Sequence, residues 1–84
     1  MITVLYFARL RESLGTDRER LDLPPGVATV GQLANWLRDR GGNWATELAA
    51  DKPVRVAVNQ EMAGPDTPLP DGAEVAFFPP VTGG

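Results

Sequence analysis

The stretch TVGQLANWLRDRGG, residues 29–42, contains the clearest helix signals of this chain. Thr29 can cap the first turn of a helix, and Gln32 lies at the reciprocal position of a capping box. Gly41 and Gly42 supply a left-handed stop after it. The apolar residues between these signals recur at helical spacing: Val30, Leu33, Ala34, Trp36 and Leu37. The stretch therefore predicts one amphipathic helix whose apolar face needs a sheet to cover it.

Segments rich in β-branched or alternating apolar residues lie on both sides of this helix and predict the strands of that sheet. The predicted strands are residues 2–8, 18–23, 54–58, 61–63 and 73–78. Further helical turns are expected at residues 9–14 and 44–50. The order β-β-α-β-(β)-β predicts an α+β fold, in which one mixed sheet of four to five strands packs on one main helix.

The composition describes one small domain with few reactive side chains. The chain has 84 residues, of which eight are basic and eleven acidic, for a net charge of −3. That balance argues against a nucleic-acid binder, and the absence of a long apolar run or a basic N-terminal region predicts a cytoplasmic chain with no membrane segment. The sequence contains neither cysteine nor histidine, so the commonest metal ligands and the usual catalytic bases and nucleophiles are missing.

A single helix covers only one face of a sheet, so the alternation of each strand sorts its residues into a covered and an uncovered set. The covered set is predicted to be Ile2, Val4, Tyr6, Leu21, Leu23, Val54, Val56, Val58, Val75 and Phe77. The uncovered set is predicted to be Thr3, Arg20, Asp22, Arg55, Asn59 and Glu74. Four apolar residues fall on the uncovered face with them: Leu5, Phe7, Ala76 and Phe78. If the first and last strands are neighbours, these four form an apolar patch, which indicates a partner surface unless residues 44–50 fold over it.

The sequence ends in Pro-Pro-Val-Thr-Gly-Gly, residues 79–84, which divides the chain into a domain at 1–78 and a flexible tail at 79–84. Two prolines favour an extended exit from the sheet, and two glycines without Cβ atoms let the terminus enter a narrow passage. The terminal carboxylate can be activated as a mixed anhydride with AMP and then converted to a thiocarboxylate. In a chain without cysteine, this terminus is the one place for a labile sulfur.

Three segments carry a family resemblance: YFARLRE at 6–12, AVNQ at 57–60 and DGAEVAFFPPVTGG at 71–84. They are similar to the small subunit of molybdopterin synthase, a family of ubiquitin-like β-grasp sulfur carriers. The likeness covers the whole chain, and its specific part is the ending FFPPVTGG.

The resemblance implies a carrier rather than an enzyme acting alone. An E1-like adenylyltransferase would use ATP to adenylate Gly84, a sulfur donor would form the thiocarboxylate, and the large synthase subunit would pass the sulfur to precursor Z to build the dithiolene of molybdopterin. The family's synthase is a heterotetramer, and the chain itself would bind no cofactor and no metal. The tail residues would be Pro79, Pro80, Val81, Thr82 and Gly83, and the partner interface Leu5, Phe7, Arg11 and Phe78.

Three other functions remain open at this point. The chain could carry sulfur for another pathway, such as thiamine thiazole synthesis or tRNA thiolation, because the Gly-Gly ending serves each of them equally well. It could be an isopeptide-forming protein modifier. It could also be a β-grasp interaction module whose tail has no chemical role.

Overall fold

The computed structural model describes residues 1–49 and 51–80, in which five strands form one sheet and three helices lie on one of its faces. The elements are β1 (Ile2–Tyr6), α1 (Ala8–Leu14), β2 (Arg18–Leu21), α2 (Val30–Arg38), α3 (Gly42–Glu47), β3 (Arg55–Val58), β4 (Glu61–Ala63) and β5 (Glu74–Phe78).

The sheet has the strand order β2-β1-β5-β3-β4. The first and last strands, β1 and β5, pair in parallel at its centre, and the other three pairs are antiparallel. The mixed sheet predicted from the sequence is therefore confirmed, and the first and last strands are neighbours, which is the condition for the apolar patch. The second strand is shorter than predicted and ends at Leu21.

Helix α2 has the capping box predicted for it. The Gln32 N–H donates to the Thr29 hydroxyl at 3.3 Å, and the Thr29 N–H donates to the Gln32 side-chain oxygen at 3.2 Å. The helix ends before the glycine pair, at Arg38, and Gly41 with φ 77° precedes α3. Gly41 thus lies between two helices, and α3 begins at Gly42, two residues earlier than expected.

Gly31 lies where α2 closely approaches the loop before β5. The Gly31 N–H donates to the Pro65 carbonyl oxygen at 2.8 Å. A Cβ at position 31 would lie 3.1 Å from that same oxygen. Close packing of this helix end on the loop therefore depends on the missing side chain.

The core lies between the sheet and the helices and contains the covered residues that the alternation predicts. Tyr6 and Phe77 are its largest fully buried side chains, and their rings stack with centroids 6.1 Å apart. Helix α1 adds Leu10, and Leu48 follows α3; neither was among the predicted core residues. Among the described residues, no helix is long and apolar enough to cross a membrane.

Candidate partner-binding site

An apolar row crosses the uncovered face of the sheet at its centre. Leu5 of β1 lies opposite Ala76 of β5, and Ala57 of β3 lies opposite Ala76 on the other side. Met62 of the edge strand β4 is paired with Ala57 and is 61% exposed. The row thus runs from the middle of the sheet to its β4 edge.

Two phenylalanines extend this row toward the C-terminal end of β5. The Phe7 N–H donates to the Phe77 carbonyl oxygen at 3.2 Å, which places Phe7 beside Phe78 in the continuing parallel ladder. Phe7 is 47% exposed, and Phe78 is half-buried. The apolar patch is defined here as Leu5, Phe7, Ala57, Ala76 and Phe78.

A polar row borders the apolar patch toward the opposite end of the strands. Thr3 lies between Arg20 and Glu74 in the register, and the Glu74 N–H donates to the Asn59 side-chain oxygen at 3.0 Å. An exposed apolar area with a polar rim on a small domain is typical of a protein–protein contact.

The described part of the 44–50 segment does not cover the patch. Trp44 packs edge to face against Tyr6, with ring centroids 5.3 Å apart, and Tyr6 belongs to the core on the other face of the sheet. Helix α3 also packs against α1 and α2. The alternative that this segment closes over the patch is therefore wrong for residues 44–49.

The tail leaves the sheet at the edge of the patch. Strand β5 ends at Phe78, and Pro79 and Pro80 follow it as half-buried residues. Neither proline has a backbone N–H to donate to a neighbouring strand. Val81, Thr82, Gly83 and Gly84 lie outside the described residues, so their predicted roles stay predictions.

Arg11 is the one predicted interface residue that the structure places off the sheet. It lies exposed in α1, and its carbonyl oxygen accepts a hydrogen bond from Gly15. The structure thus brings Leu5, Phe7 and Phe78 together, whereas a role for Arg11 stays a prediction.

A charged clamp, formed by Tyr6, Glu19 and Arg40, holds β1, β2 and the loop after α2 together, and the sequence did not predict it. The Tyr6 hydroxyl donates to Glu19 at 2.8 Å, and the Arg40 guanidinium donates to both Glu19 carboxylate oxygens at 2.9 Å. The same guanidinium lies over Trp36 and Trp44, 5.0 and 4.5 Å from their ring centroids. No local sequence pattern predicts such a cluster, because its five residues come from four separate elements and one loop.

The charges of the clamp suit a structural role. Burial raises the pKa of Glu19, but hydrogen bonds from Arg40 and Tyr6 outweigh burial and leave that pKa below its usual value. The bond to Glu19 raises the pKa of Arg40, and burial together with Glu19 raises the pKa of Tyr6. At neutral pH the carboxylate is ionised and the phenol protonated, so none of the three is poised for proton transfer.

The described residues also contain no group of three or more acidic side chains arranged to hold a metal ion. What the site does offer is a surface for a partner, placed beside the point where the tail begins.

Comparison with known proteins gives full-length matches. A family model described as "ThiS family" matches residues 4–84. The chain is 46% identical to the "Molybdopterin synthase sulfur carrier subunit" of Escherichia coli (strain K12), over 100% of both chains. These matches confirm the resemblance seen in the sequence.

Solved structures agree in fold. SAMP1 from Haloferax volcanii matches with a TM-score of 0.80 and 31% identity, covering 99% of this chain and 98% of that one. A chain of the Amycolatopsis orientalis BexX/CysO complex matches with a TM-score of 0.71 and 25% identity, covering 100% of both. The β-grasp fold predicted from the sequence is thereby confirmed.

Proposed function

The chain belongs to the ThiS family, and from that premise we propose that it is the sulfur carrier subunit of a molybdopterin synthase. One observation carries the proposal: a relative of that name is 46% identical over the whole chain, and the family match extends to residue 84. The apolar patch beside the root of the tail supports it, because a carrier must be held while its terminus is delivered elsewhere.

The proposed chemistry takes place at the carboxylate of Gly84. One carboxylate oxygen attacks the α-phosphorus of ATP, which forms an acyl-adenylate and releases pyrophosphate. Hydrosulfide from the sulfur donor then attacks the acyl carbon, a C–S bond forms, and AMP leaves, which yields the thiocarboxylate. The thiocarboxylate sulfur attacks a carbon of precursor Z and displaces the oxygen substituent there, so that a C–S bond forms as a C–O bond breaks. Water then attacks the acyl carbon of the resulting thioester, which leaves the sulfur on the substrate and regenerates the carboxylate. Two such transfers supply the two sulfurs of the dithiolene.

Other proteins would supply everything in this cycle except the acyl group. An E1-like adenylyltransferase would bind ATP. The large synthase subunit would bind precursor Z and would also bind to the apolar patch of this chain. The assembly would be a heterotetramer of two small subunits on a dimer of large ones, in the cytoplasm. The carrier itself would hold no cofactor, and residues 79–84 would act as the delivered tail of the domain at 1–78.

The test is the mass of the C-terminal peptide from protein made in cells that synthesise the cofactor. The expected result is a fraction in which sulfur replaces one oxygen. A variant with one residue added after Gly84 should lose both this form and molybdopterin production, whereas one residue added before Met1 should lose neither. An extended tail that still supports cofactor formation would rule the proposal out.

A second candidate function is protein modification, which the similarity to SAMP1, a small archaeal modifier protein, favours. The activated Gly84 carbonyl would then be attacked by a lysine amine of another protein, and AMP would leave as an isopeptide bond forms. Mass spectrometry distinguishes the two, because only the modifier leaves Gly84 joined to lysines of other proteins.

A further inference from the structure

A groove of about 780 Å³ lies on the helix side of the sheet, where α2 approaches the β3–β4 edge. Its apolar lining comes from α2, from the core and from the strand edge, and includes Ala34, Leu48, Val54, Val56 and Phe77. A volume in this range is typical of sites that enclose a ligand, so the groove has room for more than one side chain of a partner.

The charged residues of this groove are all of one sign. Arg38, Lys52 and Arg55 line it, and no acidic side chain of the described residues does, although the chain has eleven acidic residues and a net charge of −3. Within the described residues, neither Lys52 nor Arg55 forms an ion pair. Such a local excess of positive charge favours an acidic partner.

The hydrogen bonds of Arg38 keep one of these cations at the groove. Its guanidinium donates to the Leu48 carbonyl oxygen at 3.2 Å and to the Asn35 side-chain oxygen. A guanidinium that is already ordered loses less conformational freedom when a carboxylate binds it.

The groove is continuous with the partner-binding site but distinct from it. Met62 lines the groove and is paired with Ala57 of the apolar patch, and Pro80, at the root of the tail, lines the groove as well. Arg55 lies at the rim of the groove, on the patch face of the sheet opposite Phe78 in the register, and the rest of the lining lies on the core side. A protein seated on the patch therefore leaves most of the groove accessible beside the start of the tail.

We propose that this groove docks a segment of a partner protein in which apolar side chains alternate with aspartate or glutamate. The apolar side chains enter between α2 and β3, and the carboxylates pair with Lys52 and Arg38 on the core side and with Arg55 at the rim. This partner differs from the protein on the apolar patch and is held close to the tail.

The experiment selects binders from a displayed library of short random peptides, using the full chain as bait. The expected peptides combine leucine-like and acidic residues, and their affinity falls at least tenfold for the double variant Lys52→Glu/Arg55→Glu. The matched control is Arg18→Glu/Arg20→Glu, which changes net charge equally at the opposite edge of the sheet and should change affinity less than threefold. Thermal melting checks that both double variants fold.

Four outcomes would overturn the proposal. They are a selection without acidic enrichment, equal losses in the two double variants, binding that Phe7→Ser abolishes, and binding that leaves the groove amides unshifted in NMR spectra. Two other occupants, the tail of this chain and a second copy of the chain, are tested in experiments without peptide. If removal of residues 81–84 shifts the NMR signals of the groove amides, the groove is occupied by the tail instead. If Lys52→Glu/Arg55→Glu dissociates a dimer that sedimentation detects, the groove is occupied by a second copy of the chain. None of these readouts depends on sulfur chemistry, so a result that contradicts the docking proposal does not contradict the proposed function.

Discussion

The backbone N–H of Phe7 donates a 3.2 Å hydrogen bond to the carbonyl oxygen of Phe77. Strand β1 ends one residue earlier, at Tyr6, so this bond prolongs the parallel ladder toward the end of β5. It holds Phe7 beside Phe78 through the backbone, while the Phe7 side chain remains 47% exposed. The side chain can therefore be changed without removing the contact that positions it.

Replacing Phe7 with serine is expected to weaken binding of the large synthase subunit at least tenfold, because buried aromatic anchors commonly contribute about 2 kcal/mol or more to an interface. Calorimetric titration measures this affinity. The melting temperature should stay nearly unchanged, since exposed substitutions usually alter stability by less than about 0.5 kcal/mol. Thr3→Ala, on the same face of the sheet but in the polar row of β1, is the control. Unchanged affinity of the Phe7 variant would exclude the patch as the interface.

Glu19→Gln is expected to lower the free energy of unfolding at pH 7 by about 1–3 kcal/mol, the usual range for charge-assisted hydrogen bonds. The folded-state pKa of Glu19 lies below the ordinary value of 4.5. Its stabilisation is therefore complete above that pH and is lost as the pH falls through the folded-state pKa.

Urea unfolding at several pH values tests this linkage. The difference between the native chain and Glu19→Gln should be largest at neutral pH and shrink below about pH 4.5. Glu12→Gln, an exposed position on α1, should show neither effect. A difference that stays constant down to low pH would mean that the Glu19 charge does not stabilise the fold.

Thr29→Ala removes the side-chain half of the capping box of α2, and we expect a loss of about 1 kcal/mol. For a domain of this size that corresponds to a drop of about 4–8 °C in melting temperature. The control is Thr46→Ala, whose exposed hydroxyl donates only to the Gly42 carbonyl of its own helix. Equal melting temperatures for the two variants would show that the cap does not stabilise α2.

Gly31→Ala is expected to destabilise the fold, although alanine normally favours a helix over glycine by about 1 kcal/mol. The new Cβ would press on the Pro65 carbonyl oxygen at 3.1 Å, the same atom that accepts the Gly31 N–H bond. Gly64→Ala is the matched control, because a Cβ there meets nothing within 4 Å. Differential scanning calorimetry should show a lower transition for Gly31→Ala alone, and a higher one would refute the close contact.

Features set by neighbouring residues could be predicted from the sequence. The Thr29–Gln32 capping box involves residues three positions apart, and the alternation of β1 and β5 sorts Val4 and Val75 to the core and Leu5 and Ala76 to the patch. Because each such signal lies within one element, it can be recognised from the sequence without knowledge of the fold.

Features that join distant parts of the chain could not be predicted in the same way. Glu19 and Arg40 are 21 residues apart, and their charges resemble ordinary surface charges until the fold brings them together with Tyr6. The start of α3 was misplaced for a related reason. Glycine has a low helix propensity, yet Gly42 begins a helix because α3 packs against α1 and α2.

Strand β5, which leads into the tail, is the central strand of the sheet, with β1 on one side and β3 on the other. Traction on the C-terminus therefore acts along two ladders at once and loads their hydrogen bonds in shear. An edge strand would instead peel away bond by bond. The domain is thus mechanically suited to have its end gripped, drawn into a partner and released again without unravelling.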